Sequence, residues 1–419
     1  VAGSSLNRVV GARDAVARGI ASLGYESRDD LGASSRLAVT TYAGLTRDHF
    51  TDRLASVVGS PTELRDRTLS FGARLEAEKA PLSWARFLTL AEGRRETWTP
   101  ENLVQGSAEE LPGARDVGTL GGEARLVAGP TRVLVVPSLR LEAARDQVTG
   151  RSDYSLASAG RPVVSRRSLI WHLGLARPLG ESIEMRANAG HYVRLPSFLE
   201  LYGYDGRVIG DPTLAPEKGL NVDLGFRFKK GGADTAWETT GSLTAFATQA
   251  TDLIDWIGNA SGQIRPRNLS RARMVGVEAE GRFGWRGLRL AAQATWLDAR
   301  DEGPVAAAHG KLLPRRPQAR TNLRAAWRQD AAAGRLLFEL SSDLDYTAGA
   351  FATPSNDVAL PSRALVGAGL RVLHPATGLR LMATGANLTD WRGADFPGFP
   401  LPGRSFFLAL GWSSARGWD

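Results

Sequence analysis

Cysteine is absent from the sequence, which excludes disulfides, thiolate metal sites and cysteine nucleophiles. Lysine is scarce: five of the 52 basic residues are Lys (Lys79, Lys218, Lys229, Lys230, Lys311), and the rest are Arg. The charges fall singly along the chain rather than in a basic helix or stripe. The net charge of +8 therefore marks no nucleic-acid partner. Histidine is limited to His49, His172, His191, His309 and His374, at spacings that suit no metal site. No phosphate-binding glycine loop, dinucleotide fingerprint or serine-nucleophile elbow occurs. Glu278 and Glu280 share one strand face and could mimic a glycosidase pair, but two residues apart they read as solvated carboxylates. Asp343 and Asp345 are too few for a calcium site. No catalytic residue, no metal and no cofactor is expected, and the chain reads as a non-enzyme. No apolar run approaches the roughly 18 residues of a membrane helix. A barrel strand, however, needs only about 9–11 residues of alternating character. The chain begins at Val1 without a signal peptide and reads as a processed or truncated product.

What is present is period-two alternation. Leu220, Val222, Leu224, Phe226 and Phe228 share one face, against Asn221, Asp223, Gly225 and Arg227. Val275, Val277, Ala279 and Phe283 likewise oppose Glu278, Glu280 and Arg282, and Leu288, Leu290 and Trp296 oppose Arg289, Gln293 and Thr295. Such segments number about 17 and run to roughly 10–15 residues, longer than the usual strand of a soluble sheet. Short turns at AEKAP (Ala77 to Pro81), AGPTR, RPLGES, KKGGAD, GWRG and HPATG alternate with long polar segments. These segments lie near 47–66, 94–116, 145–166, 195–217, 257–269, 299–316, 348–361 and 391–403. Short turns at one end and long loops at the other are the pattern of an outer-membrane barrel. Trp84, Trp98, Trp171, Tyr192, Trp256, Trp285, Trp296, Tyr346, Trp391 and Trp412 lie near strand ends and would suit interfacial aromatic girdles. A soluble all-β protein would share the alternation.

Specific motifs then fall in order. YVRLPSFLELYG (Tyr192 to Gly203) is followed by GDPTLAPEKG (Gly210 to Gly219), TDLIDWIGN (Thr251 to Asn259), NLSRARMVGVEAEG (Asn268 to Gly281) and LLPRRPQARTNL (Leu312 to Leu323). NLTD (Asn387 to Asp390) and PLPGRSFFLALGW (Pro400 to Trp412) close the series. Together they resemble the TonB-dependent outer-membrane receptor family, with specific motifs over residues 180–412 and only the strand rhythm over 14–180. The resemblance implies an all-β fold, a transmembrane antiparallel up-and-down barrel of the 22-stranded receptor type. About 17 strands would lie in this chain, in one barrel domain over 1–419. Five strands and the N-terminal plug would precede it. Ser414 stands where the family's terminal strand usually closes on Phe.

The family's role implies an outer-membrane receptor for energised uptake of a scarce nutrient, a ferric siderophore or similar metal chelate. Its partners would be outer-membrane lipid and lipopolysaccharide, the chelate, and the TonB complex acting through the plug. A passive porin and a soluble β-rich hydrolase stand as alternatives. Within the motif, Pro196, Ser197, Gly210, Pro212, Leu214, Pro216, Glu217 and Lys218 read as residues that shape a loop and bind nothing. Ligand contacts are expected on the long-loop rim, from Tyr202, Tyr204, Asp205, Arg207, Trp256 and Arg265, which combine aromatic surface with charge.

Overall fold

Alternating apolar and polar residues can bury or solvate a whole face only as extended chain, and strands are what form. The computed structural model describes residues 12–29, 34–54, 61–104, 112–148, 163–204, 208–232, 235–258, 264–331, 333–396 and 399–412. In chain order the first strands are β1 (Arg13–Arg28), β2 (Ser35–Asp52), β3 (Thr62–Leu82), β4 (Ala85–Asn102), β5 (Gly113–Ala128), β6 (Val133–Val148), β7 (Val163–Pro178) and β8 (Ile183–Arg194). A five-residue helix, α1 (Phe198–Tyr202), and the two-residue strands β9 (Gly203–Tyr204) and β10 (Val208–Ile209) follow. Then come β11 (Glu217–Gly231), β12 (Trp237–Gly258), β13 (Ile264–Trp285), β14 (Leu288–Asp301), β15 (Ala319–Ala331) and β16 (Leu336–Thr347). The chain ends with short β17 (Ala350–Phe351) and β18 (Ala359–Leu360), β19 (Arg363–His374), β20 (Leu379–Ala386), short β21 (Ala394–Phe396) and β22 (Phe399–Pro400), and β23 (Ser405–Trp412). Among the described residues seventeen strands have eight residues or more, the number that the alternation implied.

Two compact units are formed. The first holds Val1–Leu175, Asn188–Asn221 and Ala250–Arg271. In it β1 to β6 make an antiparallel meander, each strand paired with the next. One face of this meander carries a row of apolar side chains, exemplified by Val39 opposite Leu75 and Leu45 opposite Leu69. The other face carries Trp98, Arg115 and Asp146, all buried, and on it sits the loop that follows β8. The second unit holds Ala176–Ala187, Val222–Gln249 and Ala272–Asp419. There the part of β13 from Ala272 onward pairs with β14, and β15, β16, β19, β20 and β23 follow as antiparallel neighbours. The register sets Val277 opposite Trp296 and Phe283 opposite Leu290, while Glu278 faces Thr295 and Glu280 faces Gln293. The two sets alternate along the strands as the sequence grouped them.

Three expectations need correction. AEKAP is not a turn: β3 runs through Leu82 and the reversal falls at Ser83 and Trp84. The ladder shifts register between Lys79 and Leu82, and that irregularity accommodates Pro81, which has no N–H to donate. Second, strands reach into two of the polar segments: β4 runs to Asn102 and β5 starts at Gly113 within 94–116, and β6 and β7 take in the ends of 145–166; only five residues, 259–263, separate β12 from β13. Polar side chains on both faces do not stop a ladder whose backbone groups are all paired. Third, Trp98 is no interfacial aromatic. It lies in a buried cluster with Leu201, Tyr202 and Leu214.

Candidate functional site at the anchored loop

The loop from 195 to 216 is built by short-range rules. Pro196 follows the end of β8, and Ser197 caps α1. Its Oγ accepts the Glu200 amide at 3.3 Å, and its own amide donates to Glu200 Oε2 at 2.7 Å. This reciprocal capping box satisfies two helix donors at once. The helix ends at Gly203, whose φ of 73° suits glycine. A Cβ there would lie 2.2 Å from the Val208 carbonyl, and one at Gly210 would lie 2.3 Å from the Gly203 amide. Only glycines allow β9 and β10 to approach so closely. Asp211 then closes a turn by accepting the Thr213 amide at 2.9 Å.

Two charge networks fasten this loop to the sheet. Asp146 bridges Arg115, at 2.6 Å, and Arg166. All three side chains are buried, Asp146 to 2% exposure. Further donors of the two arginines go to loop carbonyls: Arg115 to Pro196 at 2.6 Å, and Arg166 to Pro212 at 3.2 Å and Leu214 at 2.9 Å. The second network centres on Arg194, which contacts Glu200 at 3.0 Å and Glu217 at 2.6 and 2.7 Å. Glu217 also accepts the Ile254 amide at 2.9 Å. Asn268 completes the clamp, exchanging two hydrogen bonds with the Ala215 backbone and donating to the Asp252 carbonyl. Between the networks Phe198, Tyr202 and Trp98 stack with ring centroids 6.0 to 6.3 Å apart, and the Arg115 guanidinium lies 5.2 Å over Phe198. Burial pushes the Tyr202 phenol above its ordinary pKa.

The expected loop-shaping residues thus have individual jobs. Pro196, Pro212 and Leu214 present carbonyls to buried arginines; Ser197 caps; Gly210 permits a close approach; Pro216 leads into β11; Glu217 holds Arg194. Lys218 is exposed. At position 219, where the family resemblance favours Ser, a Cβ would meet the Tyr192 ring at 2.2 Å, which accounts for glycine here. Of the expected contact residues, Tyr202 is corrected: it is 3% exposed and packs inward, so it offers no face to a ligand. Asp205, Arg207 and the side chain of Tyr204 lie outside the described residues, as does Ser414. The chain on either side of residues 205–207 is placed. Val208 of β10 pairs with Ile264 of β13, the residue before Arg265, and Trp256 is exposed near the end of β12. Arg115, Asp146 and Arg166 escaped sequence reasoning because their partnership is fixed by strand register and has no local spacing.

The profile of the family described as TonB dependent receptor-like, beta-barrel, matches residues 10–388. The chain belongs to this family. Its fold is therefore that family's antiparallel β-barrel. Among relatives of this receptor-family chain, the vitamin B12 transporter BtuB of Photobacterium profundum is 28% identical over 137 residues, 32% of this chain and 21% of that protein. Transferrin-binding protein A of Neisseria meningitidis serogroup B is 30% identical over 129 residues, 30% of this chain and 14% of that protein. The solved copper transporter OprC superposes with a TM-score of 0.75 at 15% identity, covering 95% of this chain and 65% of OprC. BauA, the ferric preacinetobactin receptor of Acinetobacter baumannii, gives 0.70 at 14% identity, covering 95% and 63%. The chain spans under two thirds of these receptors.

Proposed function

We propose that the chain is the barrel of a bacterial outer-membrane receptor that imports a scarce nutrient, a ferric siderophore or similar metal chelate, with energy delivered by TonB through a plug. It performs no catalysis on this reading. The observation that carries it is the clamped loop. A passive pore needs a wall and a constriction. Here two buried or half-buried charge networks and an aromatic stack fasten the described parts of one loop to the sheet. Loops held on a scaffold are how such proteins recognise ligands. Tyr204, Asp205, Arg207, Trp256 and Arg265 are the proposed contacts. The arginines favour an anionic chelate. Relatives named for ferric, copper and cobalamin cargo point the same way.

The test uses the full-length receptor in a strain without competing receptors. Uptake of labelled ferric chelates and of cobalamin is measured with and without TonB, for wild type and for a deletion of 203–211. The expected result is TonB-dependent uptake of one class, with binding lost on deletion. Uptake that continues at the same rate without TonB would establish the passive porin instead.

A further inference from the structure

β12 leaves regular geometry towards its C-terminal end. Asp252 takes a φ of 56°, in the left-handed region that residues with a side chain seldom enter and that aspartate tolerates better than most. Around it, three backbone groups of β12 are met by side chains. The Asp252 carbonyl accepts from Asn268 Nδ2 at 2.6 Å, the Ile254 amide donates to Glu217 Oε1 at 2.9 Å, and the Trp256 amide donates to Asp255 Oδ1 at 2.8 Å. A left-handed residue inside a strand bends it and changes where the following side chains point, as a β-bulge does.

The two side chains that reach β12 from other strands also hold the anchored loop. Asn268 bonds the Ala215 amide and carbonyl at 2.8 and 2.9 Å. Glu217 meets Arg194 at 2.6 and 2.7 Å, and Arg194 in turn meets Glu200 of α1. Just past the bend, Ile254 packs against the buried cluster of Trp98, Leu201, Tyr202 and Leu214. Side chains two apart on a strand share a face, so Trp256 stands on that same face, and there it is 36% exposed. A left-handed aspartate is costlier than straight strand. What the bend yields is the direction of Trp256.

We propose that Glu217 and Asn268 are positioning residues for Trp256: by holding the bend at Asp252 they aim its indole at the ligand and join the end of β12 to the anchored loop. This rests on the proposed function, in which Trp256 is a ligand contact. An aromatic anchor contributes most where its ring is already placed before the ligand arrives. Asn268 touches no ligand itself and acts through the ring.

The test uses the full-length receptor in detergent micelles, labelled with 5-fluorotryptophan; the Trp256 fluorine resonance is the one missing from Trp256→Ala. Asn268→Ala should shift and broaden that resonance by freeing the bend. Asp252→Val should do the same, because a β-branched residue resists a positive φ, whereas Asp252→Gly, which takes that φ freely, should keep the wild-type resonance. Glu217→Gln retains an acceptor for the Ile254 amide and should move the resonance less than Glu217→Ala. Heat-modifiable electrophoretic mobility should stay that of wild type, since the rest of the wall does not use these bonds. Binding of ferric citrate, a ferric catecholate and cobalamin is measured alongside. For the probe that binds, Asn268→Ala should weaken affinity about tenfold, and in a Trp256→Ala background it should cause no further loss. An unchanged resonance in both Asn268→Ala and Asp252→Val overturns the proposal. So does an Asn268→Ala loss of affinity that persists in full without the indole. A receptor that binds none of the three probes, or whose Trp256→Ala form binds as wild type does, refutes the contact reading itself; the resonance then decides the bend alone.

Discussion

Asp146 is a carboxylate between two buried guanidinium groups, and its worth lies in what would be left without it. Asp146→Ala strands Arg115 and Arg166 in a site with almost no water. Breaking a buried pair from one side costs about 3–5 kcal/mol, and here the two cations would also repel. The expected result is a lowered unfolding midpoint in detergent or lipid. A cycle with Arg166→Met should recover part of the loss, since the remaining Arg115 keeps its bond to Pro196; no recovery would mean that Asp146 acts through packing alone. A second carboxylate, Asp390, lies in the connection before β23 and accepts the Arg404 amide at 2.9 Å, with Arg392 at 3.1 Å. These donors hold its pKa below the ordinary carboxylate value. Because the folded value is the depressed one, the ionised group favours the folded connection above pH of about 4, and that contribution disappears as pH falls through the folded value. The protection factor of the Arg404 amide, its exchange relative to an unstructured amide at the same pH, should therefore fall below that range in wild type, while in Asp390→Asn it should not change with pH there.

At the level of elements, the loop between β8 and β11 is the most specified segment of the chain. Gly210→Ala places a methyl 2.3 Å from backbone atoms of both Tyr202 and Gly203, a clash that no rotamer can relieve. The wall strands do not depend on this contact. We therefore expect unchanged heat-modifiable mobility but faster proteolysis near 203–211, measured against wild type at matched folding. Equal protection would show that the loop is held by the arginine networks alone. Much of this loop was legible in advance, since its prolines, glycines and capping residues act locally. What fastens it was not. Arg115, Asp146 and Arg166 lie on three strands, and a residue's cross-strand neighbour depends on register, which one sequence does not display. For the same reason the strand ends reached into the polar segments around 94–116 and 145–166, and Tyr202, plausible as a loop aromatic, proved to lie in a buried stack.

For the molecule as a whole, alternation itself decides which substitutions are tolerated. On β14 Leu290 shares a face with Phe283, while Gln293 faces Glu280. Leu290 is 41% exposed although its neighbours are apolar. In water such a face would be a liability; against hydrocarbon it is the favoured arrangement. An arginine introduced at a lipid-facing position near the bilayer midplane costs about 2–4 kcal/mol, and one on the opposite face far less. Leu290→Arg should therefore depress folding stability in lipid vesicles by that amount, and Gln293→Arg should leave it within about 0.5 kcal/mol. The comparison is internal, because both variants add the same side chain to the same strand. In detergent micelles, where water reaches the substituted site more readily, the difference should shrink. Equal tolerance of the two variants in vesicles would assign the faces wrongly and remove the physical basis for placing this wall in a membrane.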